Sequence, residues 1–543
     1  MPDGVASVET FILTEMPVEA TYTEGRYRLT YEGEGEIHVG GTAHNVTYGD
    51  GEVWFDYTPN GEGIVGISFS STDPNGTGDY LRNFEIVKEE HIEAYEQGAV
   101  FNPLWIDNID ESHALRFMDW METNNSTVET WEDRPTLTDF RWSTGVPVEV
   151  MVALANETGT EPWFNIPHNA DDNYIRQFAE YVRDNLDPDI RAHFEFSNEV
   201  WNWIFTQAPD SQADAIERFG AEHGDGWVQE YGARSAEMAH ILDDVFTGHE
   251  DQLVKVIATH TGWQGLEDSI LNAPAYVALD PSNVAPYTLF DTYAITGYFS
   301  GDLGHGKAET VLQWLQESQM AAEEAADADG LIGEARTAYI SEHRYDLATD
   351  RAVRELRDGS VTGNPQGSLQ ELFDIFAYHA EVAQEHGLDL VMYEGGTHIV
   401  AGGAYTGNQE LSEFFIHLNY TDDMGDLYAE LLDGWVEAGG TLFNAFVDVA
   451  RPSQWGSWGN LRYLGDDTAR KDALDSFSET YPRLDLGGTP VDPDLPGLPG
   501  DDLEGALIEG TDLDDFLDGS HPDRTPMGDT ILGGDGNDVI YDG

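Results

Sequence analysis

The chain has 543 residues, with 103 acidic side chains against 25 basic ones and a formal net charge of −78. That balance excludes ordinary nucleic-acid binding, because phosphate would be repelled. The absence of cysteine excludes disulfides and thiolate metal sites. The excess of Asp and Glu with little Lys suits a chain that stays folded and soluble in high salt, where screening removes self-repulsion; an acidic marine or calcium-rich protein would share it. No uninterrupted apolar run is long enough to span a bilayer, so membrane insertion is not expected. The start, M-P-D-G-V-A, lacks the basic and apolar regions of a signal peptide. Three options stay open: retention inside the cell, export by a route that reads another signal, or a front that continues beyond this sequence.

Residues 1–98 read as an all-β accessory domain, a small β-sandwich. Short alternating segments at 27–31, 36–39, 53–57 and 63–69 are separated by Gly-rich and Asp-rich turns. This domain is either a carbohydrate-binding module or a structural appendage. From 99 to 485 the rhythm changes to strand, loop, helix. Strands are expected at 115–121 (L-R-F-M-D-W-M), 163–168, 193–199, 254–260, 293–299, 389–393 and 441–449. Helices are expected at 147–155, 171–186, within 211–247, at 368–386 and at 426–438. Such alternation predicts an α/β fold with a parallel sheet, and its length favours a closed (β/α)₈ TIM barrel. Seven barrel strands are countable. The first is expected to be missing, with residues 8–13 as a fallback.

Residues 486–505 form a Pro/Gly/Asp linker. Within 506–543, the nonapeptide 533–541 (G-G-D-G-N-D-V-I-Y) matches the calcium β-roll repeat G-G-x-G-x-D-x-U-x. The glycines permit the tight turn, and Asp538 supplies a hard oxygen ligand beside Asp535. Asp529 holds the equivalent place one turn earlier, and Asp515 does so in a degenerate turn. Structural Ca²⁺ is therefore expected in this tail, which reads as a truncated array.

The chemistry concentrates in residues 191–203 (R-A-H-F-E-F-S-N-E-V-W-N-W). A buried strand there delivers Asn198 and Glu199 to a polar, aromatic end. A second carboxylate, Glu394, ends the apolar stretch L-V-M-Y-E-G-G. Two glutamates on two strand ends are what a retaining glycosidase requires. Glu394 would attack the anomeric carbon, and Glu199 would protonate the leaving oxygen and then deprotonate water. Arg116 would hold the Glu394 carboxylate or, alternatively, pair with Glu195 inside the barrel. Tyr298, at the end of a later strand, would donate to the nucleophile. His168 and His260 end two further strands, where barrel active sites gather. Trp455 and Trp458, in Q-W-G-S-W-G, offer faces for sugar rings. Trp201 and Trp203 would serve other subsites or pack inside; for Trp203 the core is expected. Catalysis on this scheme needs no cofactor.

These features resemble known families. Asn198-Glu199 at one strand end, with Glu394 three strands later, is similar to the clan A glycoside hydrolases, (β/α)₈ enzymes with an acid/base Glu after Asn and a nucleophilic Glu. The resemblance covers about 100–480. It implies that Asn198 bonds the sugar 2-OH and that Arg116 serves the nucleophile. The sandwich preceding L-R-F-M-D-W-M resembles large bacterial proteins sometimes labelled cellulose-binding. The tail resembles RTX proteins exported by type I secretion machinery, which implies an extracellular protein with an uncleaved C-terminal signal. The expectation is thus a secreted, calcium-dependent, salt-tolerant retaining hydrolase of β-linked polysaccharide. A non-catalytic, calcium-dependent polysaccharide-binding or matrix protein is the alternative.

Overall fold

The computed structural model describes residues 8–139 and 142–481, with four short tail strands at 507–509, 516–518, 530–532 and 539–541. The N-terminal part is all-β: β1 (Val8–Ile12), β2 (Gly25–Glu32), β3 (Gly35–Gly41), β4 (His44–Tyr48), β5 (Glu52–Tyr57), β6 (Val65–Thr72) and β7 (Arg82–Lys88). They form two antiparallel sheets, in the orders β1-β6-β3 and β4-β5-β2-β7. β5 explains the arrangement. Val53, Phe55 and Tyr57 point inward while Glu52, Trp54 and Asp56 do not, the period of two that gives a strand one buried face. Tyr27 and Leu29 from one sheet and Val39 and Ile67 from the other share one core with Phe55. β4 carries almost no buried residue, so its alternation is silent in the sequence.

A seven-stranded sheet follows, with β8 (Ala114–Arg116), β9 (Glu161–Ile166), β10 (Ala192–Phe196), β11 (Leu253–Ala258), β12 (Thr292–Phe299), β13 (Asp389–Thr397) and β14 (Leu442–Ala445). They lie side by side in chain order and every pairing is parallel. β9 and β10 are buried along their whole length, with Asn165, His193 and Glu195 among the apolar residues. Amphipathic helices cover the outside. In helix Asp172–Asn185 the side chain of Asp171 caps the N-terminus by accepting from the Tyr174 amide, and Tyr174, Ile175, Phe178 and Val182 face the sheet.

Three expectations need correction. The sheet does not close: among the described residues β8 and β14 share no pairing, and a cavity of about 700 Å³ lies along the seam between them. Seven strands, the number countable in the sequence, build a nearly closed barrel. Residues 8–12 do not supply the missing one, because β1 pairs with β6, Val8 opposite Phe69. The expected strand 115–121 ends at Arg116. Beyond it the Met121 amide turns back to the Phe117 carbonyl at 2.8 Å, and the Glu122 amide to that of Asp119 at 3.0 Å.

The tail strands pair in parallel, β15 (Leu507–Glu509) with β17 (Thr530–Leu532) and β16 (Phe516–Asp518) with β18 (Val539–Tyr541). Asp515, Asp529, Asp535 and Asp538 lie outside the described residues. No helix among the described residues is long and apolar enough to cross a membrane.

Phe194 locks β10 to its covering helices. It is fully buried, with ring centroids 5.6 Å from Phe164, 5.9 Å from Phe246 and 6.4 Å from Phe178. Phe194→Ala should lower unfolding free energy by about 3–5 kcal/mol, read from urea denaturation midpoints. A loss below about 1 kcal/mol would place Phe194 outside the core.

Candidate active site

Arg116 ends β8 and reaches across the barrel mouth. Its Nε and Nη2 donate to Glu195 Oε2 at 3.2 and 2.9 Å, and its Nη1 donates to Glu394 Oε1 at 2.7 Å. Nη2 also donates to Asn198 Oδ1 at 2.9 Å. Both readings of Arg116 therefore hold together: it is an interior ion pair and a holder of Glu394. Glu195 is almost wholly buried, which would be costly for a lone charge. It is compensated by Arg116 and by donors from Trp163 Nε1 at 2.9 Å and Asn165 Nδ2 at 2.8 Å. Burial opposes the charge on Arg116, but the Glu195 and Glu394 carboxylates outweigh it and hold the guanidinium firmly protonated.

Glu199 lies three residues beyond the end of β10. Ser197 and Glu199 both adopt left-handed backbone angles, φ 61° and 40°, a conformation that non-glycine residues keep only when their surroundings enforce it. The turn is fastened by Asn202, whose amide donates to the Glu199 carbonyl at 2.8 Å and whose Nδ2 donates to Glu199 Oε2 at 3.0 Å. Tyr393 Oη donates to Glu199 Oε1 at 3.0 Å.

Strict alternation would send Tyr393 and Glu394 to opposite faces of β13. A bulge prevents this. Along β12 the register runs from Ile295–Met392 to Thr296–Glu394, leaving Tyr393 as the extra residue. Tyr393 thus reaches Glu199 while Glu394 takes Arg116 and, at 3.1 Å, the hydroxyl of Tyr298. Both glutamates keep part of their surface open.

Burial pushes the Glu394 carboxyl up to about 7; the Arg116 charge pulls against it, and the facing Glu199 carboxylate adds to the rise. Burial likewise raises Asp119, with Arg116 again opposing. It lifts the hydroxyls of Tyr298 and Tyr393 well above the ordinary range, so both stay donors.

Other predicted residues divide. Trp458 closes the Glu394 side, with ring centroids 6.3 Å from Tyr298, 5.1 Å from His398 and 5.8 Å from Phe446. Trp455 is exposed beside it and accepts from Trp458 Nε1 through its carbonyl at 3.1 Å. His260 is exposed at the end of β11. His168 instead pairs with Asp210 at 3.0 Å and makes no bond to either glutamate or to Arg116. Asn198 is buried, and its amide is engaged by Arg116 on one side and Asn124 Oδ1, at 3.1 Å, on the other. The tryptophans after Glu199 exchange roles. Trp201 is buried between Tyr231 and Tyr393, whereas Trp203, expected in the core, is 54% exposed. Tyr393 and Asn202 were not anticipated as site residues. Asn202 stands in plain view three positions after Glu199, but Tyr393 depends on the bulge.

No family model and no curated protein sequence matches the chain. Among solved structures, xylanase10C from Cellvibrio japonicus aligns over 87% of this chain and 90% of its own, at 8% identity and a TM-score of 0.35. The agarase AgWH50C aligns over 82% of this chain and 54% of its own, at 7% identity and 0.33. An endo-beta-1,4-mannanase from Cellulomonas fimi aligns over 71% of this chain and 74% of its own, at 12% identity and 0.31. TM-scores of this size carry no argument, and the chemistry rests on the chain's own residues.

The electrostatic arrangement makes a prediction with two opposite signs. Glu199→Gln removes the charge facing Glu394, so the Glu394 titration should fall below about 7. Tyr298→Phe removes a donor to the charged form, so the titration should rise. A carbon-13 titration of labelled glutamate carboxyls reads both; movement in the same direction would overturn the arrangement.

Proposed function

We propose that this protein is a retaining glycoside hydrolase acting on β-linked polysaccharide, with Glu394 as nucleophile and Glu199 as acid/base. One observation carries the assignment. Glu394 is paired with a cation, Arg116 at 2.7 Å, whereas Glu199 is held only by the neutral donors Tyr393 and Asn202. The guanidinium favours the charged form of Glu394, the form that attacks, against the burial that opposes it.

In the first step a Glu394 oxygen bonds to the anomeric carbon as the glycosidic C–O bond breaks. The Glu199 proton passes to the departing oxygen, and a glycosyl ester remains on Glu394. Arg116 and Tyr298 fix the attacking carboxylate, so little ordering is left for the moment of reaction. In the second step Glu199, now a carboxylate, takes a proton from water. The water oxygen bonds to the anomeric carbon, the ester bond breaks, and the configuration is restored. β-Linkage is carried by the resemblance of the Asn198-Glu199 and Glu394 pattern to clan A enzymes.

We also propose structural Ca²⁺ in the tail and export by a type I route. The glycine–aspartate repeat at 533–541 supports both. Calorimetric titration of the full chain with CaCl₂ should detect binding that Asp538→Ala weakens. Absence of heat, or unchanged binding in that variant, would remove Asp538 from the reading.

The catalytic assignment predicts a split between variants. A glycosyl fluoride needs no protonation to depart, a polysaccharide does. Glu199→Gln should lose about 10²–10⁴-fold on polysaccharide and retain first-step turnover of the β-biosyl fluoride. Glu394→Gln should lose both, and proton NMR of wild-type products should record the β-anomer first. Equal losses in the two variants would reverse or dissolve the roles. The wild-type kcat/KM should rise as pH rises through about 7, where Glu394 becomes the carboxylate that the first step needs.

A further inference from the structure

The loops after β10 and β11 carry aromatic surface that the two-glutamate chemistry does not use. Trp203 is 54% exposed and Trp263 is 49% exposed, large values for indoles in the loops after two adjacent barrel strands. Between them lies Trp227, which is buried, with ring centroids 5.7 Å from Trp203 and 6.1 Å from Trp263. The three rings form a tilted ledge, with interplanar angles of 55° and 46°, whose two outer members face solvent. Trp227 belongs to helix Gly226–Val245 and so fixes the ledge to the barrel wall.

The ledge lies on the acid's side of the cleft. Trp203 follows Asn202, the residue that grips both the backbone and the carboxylate of Glu199. Trp263 sits in the turn after β11, where its amide donates to the His260 carbonyl at 3.2 Å. On the opposite side Trp458 packs against Tyr298, the residue that holds the nucleophile. In a double displacement the acid must touch the bond between the sugar that is retained and the sugar that leaves. The acid's own loop therefore borders the leaving portion.

We propose that Trp203 and Trp263 bind the leaving portion of a polysaccharide chain, stacking on the apolar faces of consecutive pyranose rings, and that the enzyme cleaves within chains. This inference rests on the hydrolase reading above and extends it to substrate length and orientation. Exposed indoles are the fitting chemistry, because a pyranose presents C–H groups on its faces and hydroxyls at its rim. Two exposed indoles that each contact the same buried ring offer separate faces, one to each sugar. A substrate with a bare leaving group touches none of it.

The test compares two kinds of substrate in Trp203→Ala and Trp263→Ala. One kind is a panel of β-1,4-linked xylohexaose, mannohexaose and cellohexaose. The other is the matching β-biosyl fluorides, whose leaving group is a single ion. Each variant should lose roughly three- to ten-fold in kcat/KM on the hexaose that the wild type cleaves best. Fluoride turnover should stay unchanged, and Trp203→Phe should keep most hexaose activity. Equal losses on both substrates, or no loss on the hexaose, would overturn the ledge as a leaving-side site. If the wild type cleaves neither substrate, the hydrolase reading fails by itself. The ledge is then decided by calorimetric binding of the hexaoses: weakening in the Trp203→Ala/Trp263→Ala double variant supports it, and unaltered binding, or none in the parent, overturns it.

Discussion

Everything at the mouth of this barrel depends on one guanidinium. Arg116 joins β8, β10 and β13 by donating to Glu195, Asn198 and Glu394. Removing any one charge from such a buried group leaves another uncompensated, at a cost of several kcal/mol. The Trp163 and Asn165 donors on Glu195 show how this cost is contained. They donate to the same oxygen, Oε2, that accepts from Arg116, and so help to hold the charge of the deep carboxylate that anchors the guanidinium. The shallower carboxylate, Glu394, then receives a fixed cation on one oxygen and a phenol on the other.

The same cluster separates two acids that are chemically identical. Glu199 and Glu394 begin with the same intrinsic acidity and face each other in a partly dry site. The difference between them comes from partners: a cation and a hydroxyl for one, a hydroxyl and an amide for the other. Backbone strain contributes from the other direction. Left-handed angles at Ser197 and Glu199 hold the second carboxyl in a turn instead of on a strand, and Asn202 secures it there. Rigidity on both sides is what the proposed reaction, with two covalent steps at one carbon, demands.

Much of this organisation was legible in the chain. Buried parallel strands such as β10 and β13 announce themselves by Phe194, Phe196, Leu390 and Met392, and Glu199 and Glu394 follow those residues closely. What escaped were features that break a period. Tyr393 is invisible as a site residue because alternation places it opposite Glu394, and only the bulge at that position turns it inward. The strand at 115–121 was drawn too long because F-M-D-W-M is apolar enough for a strand, while its backbone turns immediately after Arg116. Trp201 and Trp203 share a composition and differ in fate. Two residues of a turn point in unrelated directions, so neither strand nor helix periodicity assigns them.

The open seam explains why the anchoring network is so elaborate. β8 contributes only three paired residues and has β9 as its single hydrogen-bonded neighbour. A strand held on one edge cannot by itself aim a long side chain with the accuracy that catalysis needs. Here the aim is set at the far end of the side chain, where three acceptors fix the guanidinium plane. Trp105 adds a tie across the seam, its indole donating to Asp448 at 2.7 Å. The cavity of about 700 Å³ between β8 and β14 therefore lies beside Arg116 and Glu394 without loosening them. Precision that a closed wall would supply through the backbone is supplied instead by side-chain hydrogen bonds to residues of β10, its end and β13.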